Sequence, residues 1–213
     1  MPKFLFFPSA GYDSDYQAVL DRLTFLTWPL PSTRVQILQN ALVLYFKAQG
    51  IWTELDALWV YANDGGIDTG RLNWRDPLLY QNDNVLGMSW SSNVGLKSDG
   101  TGYINTNFNP STDGVKHLVD DFSVMVSSNQ RSTTSVAGLY GIDNSPTSPR
   151  EWFSSYWSAL TTLRFYTDNA ELASKTAISR ANANYQFSRD SEVVTQKSVY
   201  QNGVDLGVTG PTS

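Results

Sequence analysis

The chain contains no cysteine and only one histidine, His117, among its 213 residues. The absence of cysteine excludes a disulfide framework, a thiol nucleophile and any cysteine-based zinc site. A single histidine excludes a metal site built from several histidines, and a Ser-His-Asp triad would depend on His117 alone. The chain therefore has few of the cysteine and histidine side chains that the commonest hydrolase active sites and zinc sites use.

Charged residues are also scarce, at 16% of the chain, and the formal net charge is −5. We find no stripe of lysine and arginine of the kind that binds nucleic-acid phosphates. Serine, threonine, asparagine and glycine are abundant, together with 7 tryptophans and 11 tyrosines. This composition is typical of loop-rich all-β binding modules and viral structural proteins, and it suggests aromatic surface buried against other subunits.

Long apolar runs are missing as well. The apolar stretch near the N-terminus, within residues 1–8, has four residues before Pro8, whereas the core of a signal peptide needs about 7–15. No stretch approaches the roughly 20 apolar residues that span a bilayer. We therefore expect a soluble protein made without an export signal, which would reach the outside by another route, such as release in a virion.

Two amphipathic helices are predicted at the start of the chain. The first covers residues 15–28, and its apolar residues are Tyr16, Val19, Leu20, Leu23 and Leu26. The second covers residues 33–49, with Ser32 as N-cap and Gly50 just past its end. Its predicted buried stripe consists of Val35, Leu38, Leu42, Tyr45 and Phe46. Such a hairpin must bury its apolar face, either on the sandwich that follows or on another subunit.

The remaining chain is predicted to be mostly β. The predicted strands cover residues 57–62, 88–90, 122–128, 135–141, 152–158, 163–167, 185–190 and 192–199, and a last β segment covers residues 199–208. We expect strands 122–128 and 135–141 to pair, and strands 152–158 and 163–167 to pair. Residues 143–149 read as an exposed loop, residues 176–183 as a linker, and Asn202-Gly203 as a type I′ turn.

Residues 95–110 are the most informative segment. They read as a hairpin with a glycine-rich turn at residues 98–102, followed by alternation of Tyr103, Asn105 and Asn107 against Ile104, Thr106 and Phe108. The run GLKSDGTGYINTNFNPST, with the upstream GIWTELDALWVYANDGG and LNWRDP, resembles the concanavalin A-like (laminin-G-like) domain of tailed-phage virion structural proteins. The resemblance spans roughly residues 31–208.

That resemblance implies a mainly β fold, an antiparallel concanavalin A-like β-sandwich preceded by an N-terminal helical hairpin. The implied domains are an arm and hairpin at residues 1–50 and a sandwich at residues 51–213. The family continues past an Asn-Gly hairpin with further strands and a helix. The sandwich is therefore expected to be incomplete at its C-terminal end, which leaves a sheet edge to be covered.

The implied function is a bacteriophage virion protein, such as a tail fibre, spike, neck or capsid-attached component, assembled in the host cytoplasm. It would be a homo-oligomer that contacts other virion subunits and host-surface glycan. The alternatives are a purely architectural assembly protein and, less favoured, a polysaccharide depolymerase. We expect no nucleic-acid partner and no membrane insertion. Aromatic rings beside a polar loop suit stacking on sugars, so the candidate glycan-binding residues are Tyr140, Asn144, Trp152 and Tyr156.

Catalysis and metal binding are less well supported by the sequence. Glu54 and Asp56 match the start of the Glu-x-Asp-x-x-Glu motif of laminarinase-type hydrolases, but the final acid is replaced by Trp59. The pair at Asp120 and Asp121 would point to opposite faces of a strand. We therefore predict a protein that is not an enzyme and needs no cofactor. Calcium remains an alternative, with candidate ligands Asp64, Asp68, Asn82, Asp83 and Asn84.

Overall fold

A computed structural model describes residues 11–82, 84–117, 122–128, 138–142, 151–157, 162–167, 170–175, 183–189 and 197–207. The chain divides into two compact units, Met1–Phe108 and Asn109–Ser213. Two helices open the described part of the first unit, and antiparallel sheets follow in both units. The domain boundary predicted between residues 50 and 51 falls inside the first unit.

Two helices form the start of the first unit, as predicted. Helix α1 covers Ser14–Phe25 and helix α2 covers Thr33–Ala48. The predicted N-cap of α2 is confirmed, because Ser32 Oγ accepts a hydrogen bond from Val35 N at 3.4 Å. Gly50 adopts φ of 72°, and Ile51 N donates to Phe46 O at 2.9 Å. This left-handed C-terminal motif is the one for which glycine is suited.

The buried stripe of α1 is the predicted one. Tyr16, Val19, Leu20 and Leu23 are buried, and Leu26 packs beside them half-buried. These side chains share a core with Val43, Trp52, Leu72 and Trp74 of the same unit. The hairpin is therefore packed on residues 52–74 of its own unit, which belong to the region predicted as the sandwich but contain no strand.

The predicted face of α2 is confirmed in part, because Val35 is buried and Leu42 and Phe46 pack half-buried against the core, but two predicted residues lie outside it. Its buried residues are Val35, Gln39 and Val43, whereas Leu38 and Tyr45 are exposed. Gln39 can enter the core because its Oε1 accepts a hydrogen bond from the Tyr16 hydroxyl at 2.7 Å. Apolar residues surround α2 almost completely, so its hydrophobic pattern could not single out the core face.

An ion cluster joins the two helices. Asp13 caps α1 by accepting from Asp15 N at 3.0 Å, and Lys47 Nζ lies 2.6 Å from carboxylate oxygens of both Asp13 and Asp15. Burial pushes the pKa of Asp13 upward, but the hydrogen bonds from Lys47 and from the Asp15 amide outweigh burial and leave that pKa below its ordinary value. Desolvation opposes charge on Lys47 too, but the same carboxylates raise its pKa.

We expect Asp13→Asn to lower the free energy of unfolding by about 1 kcal/mol at pH 7, because asparagine keeps the cap but loses the ion pair. The stabilisation from Asp13 is present above the ordinary carboxyl pKa and is lost as pH falls through the lowered folded pKa. The difference between the variant and the wild type should therefore shrink as pH falls below the ordinary carboxyl pKa of 3.8. Urea denaturation across this fall in pH checks it. Asp21→Asn, on the exposed side of α1, is the control. A constant difference down to pH 2 would contradict the assignment.

Residues 57–62 do not form the predicted strand. Leu58 N donates to the Asn73 side chain at 3.0 Å, and Leu58 O accepts from Trp74 N at 2.8 Å. The Asn73 side chain thus takes the place of a backbone carbonyl as the partner of Leu58 N, and residues 57–62 do not pair with a strand. Short 3-10 turns flank this segment at Trp52–Glu54 and Asp68–Arg71.

The hairpin predicted within residues 95–110 is wrong, because residues 95–105 form one strand, and the first unit contains a different hairpin. Strand β1, Asn84–Ser91, pairs with β2, Gly95–Asn105, and the turn lies at residues 92–94. Asn93 there adopts φ of 58°. The register shifts between Leu86, paired with Tyr103, and Met88, paired with Ser98. The glycine-rich residues 99–102 therefore form a bulge inside the ladder rather than a turn.

The second unit contains two four-stranded antiparallel sheets. It begins with the one-turn helix α3, Pro110–Asp113. The strands are β3 Phe122–Ser128, β4 Gly138–Ile142, β5 Glu151–Trp157, β6 Thr162–Thr167, β7 Ala170–Lys175, β8 Ala183–Arg189, β9 Lys197–Gln201 and β10 Val204–Asp205. One sheet has the order β10-β9-β8-β3 and the other has the order β4-β5-β6-β7.

Strand β3 coincides with the prediction, but its predicted partner is wrong. It pairs with β8, and β4 pairs with β5 instead. The predicted pairing of β5 with β6 is confirmed. Phe122, Tyr185, Phe187 and Val199 are buried along the β3-β8-β9 sheet. Asn202 and Gly203 adopt φ of 53° and 77° between β9 and β10, which confirms the type I′ turn. The predicted linker at residues 176–183 lies almost wholly outside the described residues.

Candidate functional site

Three of the four predicted glycan-binding residues lie on two paired strands. Tyr140 is in β4, and Trp152 and Tyr156 are in β5. Gly141 pairs with Trp152 and Tyr140 with Phe153, so Tyr140 and Trp152 occupy neighbouring register positions. Tyr156 lies where the register of β5 with β6 shifts. Asn144 and the loop that contains it lie outside the described residues.

The strand register extends this aromatic group to a third strand. Trp152 pairs with Tyr166, and Phe153 pairs with Phe165 of β6. One row is therefore aromatic on all three strands, with Tyr140, Phe153 and Phe165, and the adjacent row has Trp152 and Tyr166 beside Gly141 of β4. Paired residues in such a row have β-carbons about 5 Å apart. Adjacent rows alternate between the two faces of a regular sheet, so a sugar bound on one face would contact one row.

Phe165 and Tyr166 were missed as site candidates by sequence reasoning. The signal in the sequence was the run Leu-Arg-Phe-Tyr-Thr at residues 163–167. This run was predicted as a strand paired with residues 152–158, and that pairing is confirmed. Because a one-residue slip of register would exchange the rows, the sequence could not say which aromatic residue stands opposite Trp152.

The hydrolase-like carboxylates do not form a strand-borne pair. Glu54 ends a 3-10 turn, where Thr53 Oγ1 donates to its Oε1 at 3.3 Å. Asp56 follows in a bend, and Trp59 Nε1 donates to Tyr80 O at 3.2 Å. The alternation that would aim Glu54 and Asp56 at one substrate needs a strand, and none is formed here.

The candidate calcium ligands have partners within the protein. Asp64 accepts from Ser32 N at 2.8 Å, and its hydrogen bonds with Ser32 lower its pKa. Asp68 pairs with Arg71 at 3.0 Å. The fully buried Asn82 donates to the Tyr61 hydroxyl. Asn84 lies in β1, and Asp83 is outside the described residues. Over the described ranges, no group of three or more acidic or histidine side chains could hold a metal ion.

Buried asparagines give the irregular part of the first unit its shape. Asn73 Oδ1 accepts from Leu58 N and Arg75 N, each at 3.0 Å. Asn63 Oδ1 accepts from Gly65 N and Gly66 N at 2.9 and 3.1 Å. These amides satisfy backbone groups that no strand pairs with, so we assign them a structural role.

A buried tyrosine completes this network. Burial raises the pKa of Tyr61 to about 12 despite its hydrogen bond with Asn82. The backbone oxygen of Tyr61 accepts from Trp90 Nε1 at 3.1 Å, which ties β1 to the extended segment. The Tyr61 hydroxyl therefore stays neutral near neutral pH and accepts a hydrogen bond from Asn82. We assign it a structural role rather than one in proton transfer.

The single histidine packs against an aromatic ring. His117 stacks on Phe122 with ring centroids 4.4 Å apart and an interplanar angle of 15°. The neighbouring pair Asp120 and Asp121 lies outside the described residues. Stacking at the start of β3 gives His117 a structural role.

No family model, curated protein or solved structure matches the chain. In the part of the chain that the structure describes, no helix is long and apolar enough to cross a membrane.

Proposed function

We propose that this chain is a virion structural protein of a tailed phage that acts by binding, with a lectin-like β-sandwich for host-surface glycan or subunit contact. Two features support this proposal. One is the resemblance carried by residues 50–112, and the other is the aromatic register across β4, β5 and β6. We infer that it is incorporated into particles assembled in the host cytoplasm.

The proposed sandwich follows from the burial in the second unit. The β10-β9-β8-β3 sheet buries Phe122, Tyr185, Phe187 and Val199, while Ser123, Met125 and Ser127 of β3 are exposed. A sheet with one buried face needs a second layer to cover it. The second four-stranded antiparallel sheet of the same unit is the layer that we propose.

The proposed glycan contact is carried by the row that contains Trp152 and Tyr166. Aromatic faces bind the apolar C–H faces of sugar rings, and a rigid sheet presents them with little loss of side-chain entropy. Tyr156 would flank this surface, and Asn144 would supply a hydrogen-bonding amide from the adjacent loop. Tyr140 lies in the neighbouring row with Phe153, so in a regular sheet it would belong to the opposite face. Binding therefore depends on Trp152 more than on any other single residue.

We expect Trp152→Ala to raise the Kd for the bound glycan at least about tenfold, because it removes the largest stacking surface. A glycan array probed with the full chain identifies the ligand, and titration calorimetry with that ligand gives the ratio. Tyr103→Ala, an exposed aromatic replacement on β2, is the matched control and should bind like the wild type. Specific array hits that Trp152→Ala leaves unchanged would contradict this site.

A purely architectural role is the second candidate function. Exposed apolar side chains in the second unit favour it, since Val115, Met125 and Val204 are each more than half exposed. Incorporation into particles with no hit on the array would support this alternative. Release of new reducing ends from host polysaccharide, abolished by Glu54→Gln, would instead show a depolymerase and contradict both proposals.

A further inference from the structure

Helix α2 presents an apolar face on the side opposite its buried stripe. Val35, Gln39 and Val43 face the core. On the opposite side, Ile37, Leu38 and Tyr45 are 48%, 61% and 58% exposed. We define the outward α2 face as Ile37, Leu38, Ala41, Leu44, Tyr45 and Ala48. These positions follow the three- and four-residue spacing of one helical stripe.

This face is self-complementary about its centre. Ile37 and Tyr45 each lie four residues from Ala41, and Leu38 and Leu44 each lie three residues from it. A two-fold axis through Ala41 would therefore place Ile37 of one helix against Tyr45 of an antiparallel second copy. Leu38 would likewise meet Leu44, and two small alanines would meet at the axis. An isologous interface requires this reciprocity of contacts.

The charge on α2 is complementary to the same antiparallel arrangement. The helix contains no acidic residue, and Arg34 lies exposed in its first turn. A cation there is unfavourable, because the N-terminal end of a helix carries positive partial charge. Arg34 and Ala48 lie at equal distances from Ala41. In the antiparallel pair, Arg34 would therefore lie beside the C-terminal end of the partner helix, whose partial charge is negative.

We propose that the outward α2 face binds a second copy of this chain, as an antiparallel, two-fold symmetric helix pair centred on Ala41. The proposal uses only the first unit and does not depend on the proposed glycan contact. A parallel pair would instead place Ile37 against Ile37 and would bring the two Arg34 side chains together.

Charge replacement tests this register. Ile37→Glu and Tyr45→Lys should each raise the dimer Kd about 100-fold, because every dimer contains the change twice. In the double variant, Glu at position 37 would face Lys at position 45 of the other copy, and the Kd should return to within about tenfold of the wild type. Sedimentation equilibrium of the full chain measures these constants. Leu78→Glu, an exposed change outside α2, is the matched control.

Disulfide trapping supplies an independent test, because the chain has no cysteine of its own. At a helix separation of 8–10 Å, the two Ala41 α-carbons would lie about 4–5 Å apart at closest approach, within disulfide range. The two Ala48 positions would be about 21 Å apart along the pair. Ala41→Cys should therefore form a covalent dimer on mild oxidation, and Ala48→Cys should not.

Each outcome decides the proposal. Rescue by the double variant together with cross-linking at position 41 alone supports it. A wild-type chain that is monomeric at all concentrations overturns it, and so does a dimer that the single variants leave intact. Equal cross-linking at positions 41 and 48 indicates a parallel pair and overturns it as well. Unchanged circular dichroism of each variant excludes unfolding as the cause of a lost dimer.

Discussion

Replacing Trp74 with alanine is expected to lower the free energy of unfolding by about 3–5 kcal/mol. Trp74 is fully buried among α1 and the segment that follows α2, and its ring lies 5.6 Å from that of Tyr16. Alanine keeps the backbone hydrogen bond to Leu58 O but leaves a cavity the size of an indole. Because helices and irregular backbone meet at this ring, little can move to fill the space.

Urea denaturation followed by circular dichroism measures this loss. Phe25→Ala is the matched control, since Phe25 is 76% exposed and contacts Arg22 through its ring face. It should cost about 1 kcal/mol or less. Trp74→Phe should cost less than Trp74→Ala, because it keeps most of the packing and removes a buried indole N–H that has no partner among the described residues. Equal small losses for Trp74→Ala and Phe25→Ala would show that the core lies elsewhere.

The second large effect is expected from Phe187→Ala in β8, again about 3–5 kcal/mol. Phe187 is fully buried, pairs in register with Val124, and lies 5.7 Å from the ring of Phe122. Its loss would remove the central contact between β3 and β8, strands that are far apart in sequence. The ladder that joins them would then open more often.

Hydrogen exchange followed by mass spectrometry measures this effect locally. Peptides that contain β3, β8 and β9 should exchange faster in Phe187→Ala by about two to four orders of magnitude, because the variant opens this sheet more easily. Met125→Ala, at an exposed position of β3 in the same sheet, should leave exchange unchanged. Equal acceleration in both variants would contradict the assignment of Phe187 to the core.

The buried face of the first helix could be predicted, although the helix ends three residues earlier than predicted, whereas the face of the second could be predicted only in part. In α1, Tyr16, Val19, Leu20 and Leu23 recur at three- and four-residue spacing and mark the buried face. In α2, apolar residues occupy both faces, and the core face is marked by Gln39, a residue type that is rarely buried without a partner. That partner, the Tyr16 hydroxyl, becomes visible only when the two helices pack.

Strand positions were more predictable than strand partners. The alternation of Phe122, Val124 and Val126 with exposed residues located β3, but nothing local indicated that β8 would pair with it. Residues 57–62 have strand-like composition, but the backbone N–H of Leu58 donates to the Asn73 side chain instead of to a neighbouring strand, and no strand pairing forms. Glycines at residues 100 and 102 suggested a turn, whereas the turn that joins β1 to β2 contains Asn93.

The candidate glycan site stays a prediction, and the structure describes the strand positions of three of its four residues. Composition and an adjacent polar loop identified Tyr140, Trp152 and Tyr156, and the structure places them on the paired strands β4 and β5. The opposing residue Tyr166 follows from strand register, which depends on pairing across the whole sheet. Asn144 stays a prediction.

The most direct test of a virion structural protein is cross-linking mass spectrometry of purified, infectious particles. We predict that this chain is present in fixed proportion to the other subunits and that exposed lysines, such as Lys97 and Lys116, form cross-links to neighbouring virion proteins. Absence of the chain from particles that retain full infectivity would contradict the proposed function.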